Sequence, residues 1–278
     1  MAMQTSKKLN WLEKHLPEGL LVDAAWLQAN GFSTALRSQY VAAGWLEQPA
    51  RGVYRRPRGE LDWQQVVISL QTILEASLVV GGKTALDLQG FAHYLPKRTT
   101  EIHLYGPKAP PSWLKKLPLK IRFNYHNSQK LFLEPSAKMS HSLDIERAKA
   151  AADTGSGGLF TIEPWGQWSW PLTQSSPERA ILEALDELPD RESFEKMDKL
   201  MEGLTGLRPR RLQKLLTDCR NVKVKRLFLF FADRHKHAWL KHLDKTKVDL
   251  GKGKRMVAKG GRLNHTYQIT VPDSFHAV

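Results

Sequence analysis

The sequence predicts an α+β protein that begins with a winged helix-turn-helix and continues as a mixed α/β region in two lobes. Three observations support this prediction. Capped segments with helical apolar spacing fill the first 45 residues, a short stretch with the character of a hairpin follows, and helical and strand-like segments are mixed over the remainder. We place the three units at residues 1–59, 60–172 and 173–278.

The composition limits the class of protein before any motif is considered. The chain has 278 residues, and its hydrophobic content of 41% excludes global disorder and allows more than one buried core. A single cysteine excludes a disulfide framework and a multi-cysteine metal site, and it fits a reducing compartment. The N-terminus lacks a signal-peptide core, and the longest apolar run, residues 227–232, is too short to span a bilayer. We therefore expect a cytoplasmic protein with no membrane partner.

The first unit is defined by helix caps and a glycine turn. A leucine stripe predicts a first helix that stops at Pro17, Asp23 can cap a second helix, and Gly31 supplies the left-handed residue after it. Ser33 can cap a third helix over residues 34–43. Two short helices joined by a glycine-containing turn are typical of a helix-turn-helix.

A β-hairpin wing is predicted directly after the third helix, with residues 48–50 as its tip. The following segment holds four arginines and no acid within eight residues, and the fork of an arginine matches phosphate oxygens. Recognition helices contact base edges through their N-terminal residues. A winged helix also serves as a protein-interaction module. The combination of helix caps, a polar N-terminal face on the third helix and an arginine-rich wing favours DNA binding. The predicted DNA-binding residues are Ser33, Thr34, Arg37, Ser38, Gln39, Arg51, Tyr54, Arg55, Arg56 and Arg58.

The second and third units show both helical apolar spacing and the alternation typical of strands. Residues 222–230 alternate lysine with valine and then become apolar, and a hairpin is expected around the glycine- and lysine-rich residues 251–254. Three tryptophans between residues 165 and 170 could stack on bases, although packing is the commoner role. Helices are predicted over residues 62–76, 84–91, 176–188, 193–204 and 209–219, and strands over 101–105, 120–125 and 266–271.

The net charge of +14 is concentrated in one segment. Residues 208–262 contain 18 lysines and arginines and four acidic residues, and the two signs balance over the rest of the chain. Because unbalanced charge destabilises a compact fold by self-repulsion, we favour a separate anionic partner over a merely solvated surface. The candidate residues are Arg208, Arg210, Arg211, Lys214, Lys223, Lys225, Arg226, Lys252, Lys254, Arg255, Lys259 and Arg262.

No motif of an enzyme class is present. Residues 80–84 imitate the end of a phosphate-binding loop, but the glycine required five residues before Gly82 is Ser77, so we interpret the segment as a turn into a helix. The histidines near residue 240 lack metal-ligand spacing, and Cys219 has no nucleophile signature and is expected to be buried. We therefore expect no catalytic residue, metal or cofactor, and a protein that is not an enzyme.

Two blocks of the sequence resemble the AbiEi family of antitoxins from bacterial type IV toxin–antitoxin systems. The first is STALRSQYVAAGWLEQPARGVYRRP at residues 33–57. The second, residues 178–272, contains ERAILEALDELP, VKVKRLFLFFADRHKHAWLKHLD, DLGKGKR and GGRLNHTYQITVP. Residues 81–117 also resemble the central part of that family, so the resemblance covers most of the chain. The C-terminal block is the more specific, because many winged helices share the N-terminal pattern.

The resemblance implies a protein with two roles in phage defence. Its winged helix would bind inverted repeats in its own promoter and repress transcription, through residues 33–40 and 51–58. Its C-terminal domain would counter a toxin of nucleotidyltransferase fold without forming a stable complex, through the basic residues 208–262. The anionic partner of that block could be RNA, a nucleotide or an acidic toxin surface.

Two alternatives to this function stay open on sequence grounds. One is a winged-helix transcription regulator with a ligand-sensing domain. The other is a nuclease that a winged helix directs to DNA, which would need a carboxylate–lysine metal site that no motif of the chain supplies.

Overall fold

The computed structural model describes residues 2–91, 99–133, 139–155 and 157–275, with side chains from residue 7 onward. Helices and strands are mixed along the chain, so the predicted α+β class is confirmed. Within the described residues, no helix is both long and apolar enough to cross a membrane. The N-terminal elements are α1 Ala2–His15, β1 Leu21–Asp23, α2 Ala24–Ala29, α3 Thr34–Ala42, β2 Glu47–Ala50 and β3 Val53–Arg55.

The predicted caps organise the helix-turn-helix. The Asp23 carboxylate accepts a hydrogen bond from the Trp26 amide at 2.8 Å, and the Ser33 hydroxyl accepts one from the Leu36 amide at 3.3 Å. Gly31 adopts a φ of +79°, as the left-handed turn between α2 and α3 requires. These three residues fix where α2 and α3 begin and how they are joined.

The wing is a three-stranded antiparallel sheet in the order β1-β3-β2. Its tip is Arg51-Gly52 and not residues 48–50, so the predicted tip was wrong. Pro49 is compatible with β2 because β2 is an edge strand and needs no donor on its free side. Gly52 makes the turn, with a φ of +77°.

A five-stranded sheet forms the centre of the molecule, in the order β6-β5-β4-β8-β7. The β5–β6 and β4–β8 pairs are parallel, and the other pairs are antiparallel. The predicted boundary between residues 172 and 173 falls inside β8, which the two lobes therefore share. The central elements are α4 Trp63–Gln71, β4 Val79–Val80, α5 Gly82–Leu88, β5 Glu101–Gly106, β6 Arg122–Asn127, α6 Ile145–Gly155, β7 Phe160–Trp165 and β8 Trp170–Ser175.

The C-terminal elements are mainly helical. Residues 222–230 belong to a helix, despite their alternation, because Asn221 caps the first turn and the apolar residues that follow are buried on all sides. Residues 251–254 form a loop and not the predicted hairpin, and the hairpin lies later in the chain. The elements are α7 Pro177–Asp186, α8 Phe194–Gly203, α9 Pro209–Asp218, α10 Val222–His235, β9 Arg262–Asn264 and β10 Ile269–Val271.

The central sheet separates two cores. Ile102 and Leu104 of β5 pack into the core that contains the winged helix and α4, whereas Tyr105 points toward α7 and donates to the Glu183 carbonyl oxygen. The second core is built mainly from α7–α10 and includes the buried Cys219. Cys219 is 2% exposed, so the expectation of a buried cysteine is confirmed, and this burial raises the pKa of its thiol to about 11.

The segment that imitates a phosphate-binding loop has a packing role. Gly81 precedes α5, and a Cβ atom at Gly81 would lie 2.4 Å from both the Glu183 carboxylate and the Tyr105 ring. The Gly82 amide donates to that carboxylate at 2.8 Å. The segment is a turn into a helix, as interpreted from the sequence. Its Gly82 amide already donates to the Glu183 carboxylate.

Candidate nucleic-acid interface and basic surfaces

The outward face of α3 is small and polar. Ser33, Thr34, Ser38 and Gln39 are exposed, although the Ser33 hydroxyl is used as the helix cap. Hydroxyl and amide groups of this size can donate to and accept from base edges in a major groove. The outward face of α3 is therefore accessible and polar, but it carries no exposed cation.

Arg37 does not belong to this face, which corrects the prediction that it lies near base edges. Its side chain is 7% exposed, and it donates to the Ala24 carbonyl at 2.8 Å and to the Thr34 hydroxyl at 2.8 Å. The guanidinium also lies over the Tyr54 ring. Arg37 thus joins α3 to α2 and to the wing, and both of its terminal guanidinium nitrogens donate inside the fold.

Most of the wing arginines are also engaged. Arg55 is 6% exposed and donates to the Glu47 carboxylate at 2.5 Å and to the Gly59 carbonyl at 2.6 Å, so its predicted phosphate contact was wrong. Arg56 and Arg58 share the carboxylate of Glu18, at 3.3 and 2.9 Å. These contacts tie the wing to the loop after α1.

Tyr54 is buried in the wing. It is therefore not placed to contact DNA, which corrects the prediction for this residue. Arg51, at the wing tip, is exposed, and the described residues contain no hydrogen bond or ion pair to its side chain. We call Thr34, Ser38, Gln39 and Arg51 the reading surface. These members of the predicted DNA-binding set are exposed, and Ser33 is left out because its hydroxyl caps α3.

Three residues of the predicted basic set have structural roles in α10, which corrects their assignment to a partner. The Lys223 ammonium donates to the Asp186 and Leu188 carbonyls at 2.8 and 2.6 Å, at the C-terminal end of α7. Lys225 is buried. Arg226 is 2% exposed and donates to four backbone carbonyls, of Leu250, Gly251, Gly253 and Gln268.

The loop that Arg226 anchors is a basic and exposed segment. We call residues 251–259 the basic loop. Lys252, Lys254, Arg255 and Lys259 are exposed there, and none of their side chains has a hydrogen bond or ion pair in the part of the chain described. Met256, between them, is 75% exposed. Arg262 lies just beyond the loop and pairs with Asp273 at 3.1 Å.

A second basic surface lies at the start of α9. Arg208, Arg210 and Lys214 are exposed and line a cavity of about 840 Å³, together with His242. Arg211 lines the same cavity but pairs with the buried Glu178 at 3.4 Å, and the Arg208 amide donates to Glu178 at 2.8 Å. Glu178 therefore compensates part of the charge that α9 carries at its N-terminal end.

The three clustered tryptophans lie in the hairpin of β7 and β8. Trp170 is buried against the winged-helix core and Trp165 packs near it, with ring centres 6.2 Å apart. Trp168 is 58% exposed at the hairpin tip, beneath the Arg58 guanidinium. The favoured packing role holds for Trp165 and Trp170.

One cluster of potential functional residues has no signal in the sequence. His103 of β5, His126 of β6 and Glu187 after α7 lie side by side, although 84 residues separate the first from the last. Burial and the adjacent His126 lower the pKa of His103 to about 4. Burial raises the pKa of Glu187, but hydrogen bonding and charge from His126 outweigh it, so the net shift is downward. Only the pairing of β5 with β6 and the packing of α7 bring these groups together.

The fold and its surfaces define a class: a winged helix-turn-helix joined to a basic α+β region. Residues 5–97 match the family model described as the N-terminal domain of AbiEi antitoxin transcriptional regulators. Residues 99–272 match the model described as transcriptional regulator, AbiEi antitoxin, of the type IV toxin–antitoxin system. The chain therefore belongs to the AbiEi family of antitoxins and transcriptional regulators.

A solved structure supports the same fold. The Rv2827c protein from Mycobacterium tuberculosis is similar to this chain at a TM-score of 0.56 and 18% sequence identity, over 95% of this chain and 90% of that one. No curated protein sequence matches the chain. The structural similarity concerns the fold alone, and the membership of the family rests on the two sequence matches.

Proposed function

We propose that this protein is the antitoxin of a type IV system and also represses its own operon, by binding inverted repeats in the promoter through the winged helix. The observation that carries the DNA-binding part is the reading surface. It presents accessible polar groups on the outward face of α3 and an unpaired cation at the wing tip. In this role the protein binds its partners and catalyses no reaction. We expect it in the cytoplasm, where its promoter lies.

Each part of the reading surface has a different contribution. Gln39 on α3 can pair its amide with an adenine edge, and the hydroxyls of Thr34 and Ser38 can donate to or accept from base edges. Arg51 can reach a backbone phosphate beside that groove, which positions the module without reading sequence. The engaged arginines 37, 55 and 56 hold the helix and the wing at a fixed spacing.

The first prediction concerns operator binding. Gln39→Ala should weaken binding to the promoter repeat by about 1–3 kcal/mol and relax the preference for one base pair. Arg51→Ala should weaken binding to all sequences and reduce the slope of log affinity against log salt by about 0.9. Fluorescence anisotropy with promoter and scrambled duplexes at several salt concentrations measures both effects.

Arg147→Ala is the matched control, because Arg147 is an exposed arginine on α6, outside the winged helix. It should bind the promoter like the wild type. Wild-type affinity and salt slope in both Gln39→Ala and Arg51→Ala would contradict the assignment of the reading surface to DNA.

We propose that the basic loop carries the antitoxin role, against a toxin of nucleotidyltransferase fold and without a stable complex between the two proteins. The loop offers four unpaired cations and one exposed methionine on a backbone that Arg226 holds in place. A preorganised loop loses little conformational freedom when it binds, so its charges can act on an anionic partner at low cost. The partner class is an RNA, a nucleotide or an acidic surface of the toxin.

The second prediction separates the two roles. Changing Lys252, Lys254 and Lys259 together to glutamate should abolish the rescue of cells that express the toxin, because attraction to an anionic partner becomes repulsion. Promoter binding should stay within about twofold of the wild type, since the loop lies outside the winged helix. Growth of toxin-expressing cells and anisotropy on the same variant measure the two outcomes.

The control is a triple variant with the same change of charge elsewhere. Lys108, Lys116 and Lys120 are exposed lysines of the central region, and their replacement by glutamate should leave rescue intact. Equal loss of rescue in both triple variants would show that net charge matters and the loop does not. Full rescue by the loop variant would also refute the assignment.

A further inference from the structure

The central sheet holds a cluster of metal-ligand side chains that the regulatory role does not use. His103 and His126 lie on neighbouring parallel strands, where Tyr105 pairs with His126 in the register, so both imidazoles lie on the side of the sheet that faces α7. Glu187 follows the last turn of α7 and reaches this side of the sheet. Three separate elements therefore fix the three side chains.

The distances within the cluster are short. His103 Nδ1 lies 3.0 Å from His126 Nε2, and His126 Nδ1 lies 3.1 Å from a carboxylate oxygen of Glu187. Tyr105 stacks on His126, with ring centres 4.5 Å apart, which limits the rotation of that imidazole. One ligand atom from each of the three residues lies within 4.8 Å of the others.

The two short contacts use different nitrogens of His126, so an ion at Nε2 would have His103 Nδ1 beside it, and the Glu187 carboxylate would have to turn toward the ion. Zinc binds imidazole nitrogen and carboxylate oxygen at about 2.0–2.2 Å, so two ligand atoms of a tetrahedral site lie roughly 3.3–3.6 Å apart. Because the three candidate ligand atoms lie within 4.8 Å of one another, rotation of the side chains by about an ångström brings them to these distances. Two histidines and one glutamate are also a donor set that zinc and similar divalent ions accept.

One member of the cluster borders open space. His103 lines a cleft of about 700 Å³ and a smaller one of about 300 Å³, and Glu101, Arg191 and Glu192 line both. An ion could enter by this route, and a fourth coordination position could face the cleft. Histidine and glutamate ligands of zinc in such an open arrangement leave room for water or a ligand.

The surrounding charges do not prevent binding. Arg191 pairs with the second carboxylate oxygen of Glu187 at 3.3 Å, but its side chain is largely exposed and can turn into solvent. Lys83, another cation near His103, pairs with Asp87 at 2.8 Å. Glu101 is engaged by Arg122.

We propose that His103, His126 and Glu187 form a binding site for one divalent transition-metal ion of the zinc type, with an open position toward the cleft. The ion would replace the hydrogen bonds that link the three side chains, and would cross-link β5, β6 and the end of α7. The site is independent of the reading surface and the basic loop.

The test uses the full chain after treatment with a chelator. Calorimetric titration with Zn²⁺ should give one ion per chain with a dissociation constant on the order of 10 µM or tighter. Titration with Co²⁺ should give visible absorption bands of a site with four or five ligands. His126→Ala and Glu187→Gln should each weaken binding by about tenfold or more. His265→Ala, at an exposed histidine in the β9–β10 turn, should bind like the wild type.

A further variant and a spectrum keep the result independent of folding defects. Arg191→Ala removes the competing cation and should bind Zn²⁺ at least as tightly as the wild type. X-ray absorption of the zinc-loaded wild type should show imidazole and oxygen ligands. Loss of less than threefold in both His126→Ala and Glu187→Gln, the absence of a stoichiometric ion in the wild type, or a weaker Arg191→Ala site would each overturn the proposal.

Discussion

Replacing Glu183 with alanine is expected to lower the free energy of unfolding by about 3–5 kcal/mol. Glu183 is fully buried in α7, and its carboxylate accepts hydrogen bonds from Arg179 at 2.8 Å, from the Ser175 hydroxyl at 3.1 Å and from the Gly82 amide at 2.8 Å. Its removal leaves the buried Arg179 guanidinium without a counter-charge. Urea unfolding followed by circular dichroism measures the change.

Two controls distinguish a lost ion pair from a lost contact. Arg179→Met combined with Glu183→Leu removes both charges, so it should recover much of the loss, because replacing a whole buried pair costs far less than removing one partner. Lys149→Ala breaks an exposed pair of α6 with Glu146 and should change the free energy of unfolding by at most about 0.5 kcal/mol. A loss below about 1 kcal/mol in Glu183→Ala would contradict the structure of this core.

The second large effect is expected at Arg226. Arg226→Met keeps the apolar stem but removes the donors to the carbonyls of Leu250, Gly251, Gly253 and Gln268, at a cost of about 2–4 kcal/mol. The basic loop loses its anchor, so amide exchange of residues 249–255 should accelerate. Under the proposed function, rescue from the toxin should fall although every exposed cation of the loop is still present.

The comparison variants for this prediction change one property at a time. Arg226→Lys keeps the charge but lacks the planar fork, so it should recover only part of the stability. Arg210→Met makes the same substitution at an exposed arginine and should leave stability unchanged. Wild-type stability and loop protection in Arg226→Met would refute the anchoring role and with it the preorganisation of the loop.

Most elements of the winged helix can be predicted from local sequence signals. Asp23 and Ser33 can cap only the helices that follow them, and Gly31 can relieve strain only at its own position, so these elements are predicted from a few neighbouring residues. The wing tip was misplaced by a few residues, because proline at 49 suggests a turn and is equally compatible with an edge strand.

The strand pairing of the central sheet cannot be predicted from local sequence signals. Strand β4 has two residues and pairs in parallel with β8 about 94 positions later, and no periodicity within either strand specifies that partner. The His103–His126–Glu187 cluster depends on this sheet and on α7. Its three residue types occur without any short spacing, so a motif search could not find it.

The sequence by itself determined the caps of the winged helix, the membership of the AbiEi family and the concentration of the +14 charge in residues 208–262. Only the tertiary structure decided which cations of the chain are available to a partner. Arg37, Arg55 and Arg226 have the same side chain as Arg51, but they are buried and donate to backbone and side-chain oxygens of the fold. A buried guanidinium that donates in this way holds the fold together, whereas one in solvent can bind a phosphate. That difference depends on what lies around the side chain after folding.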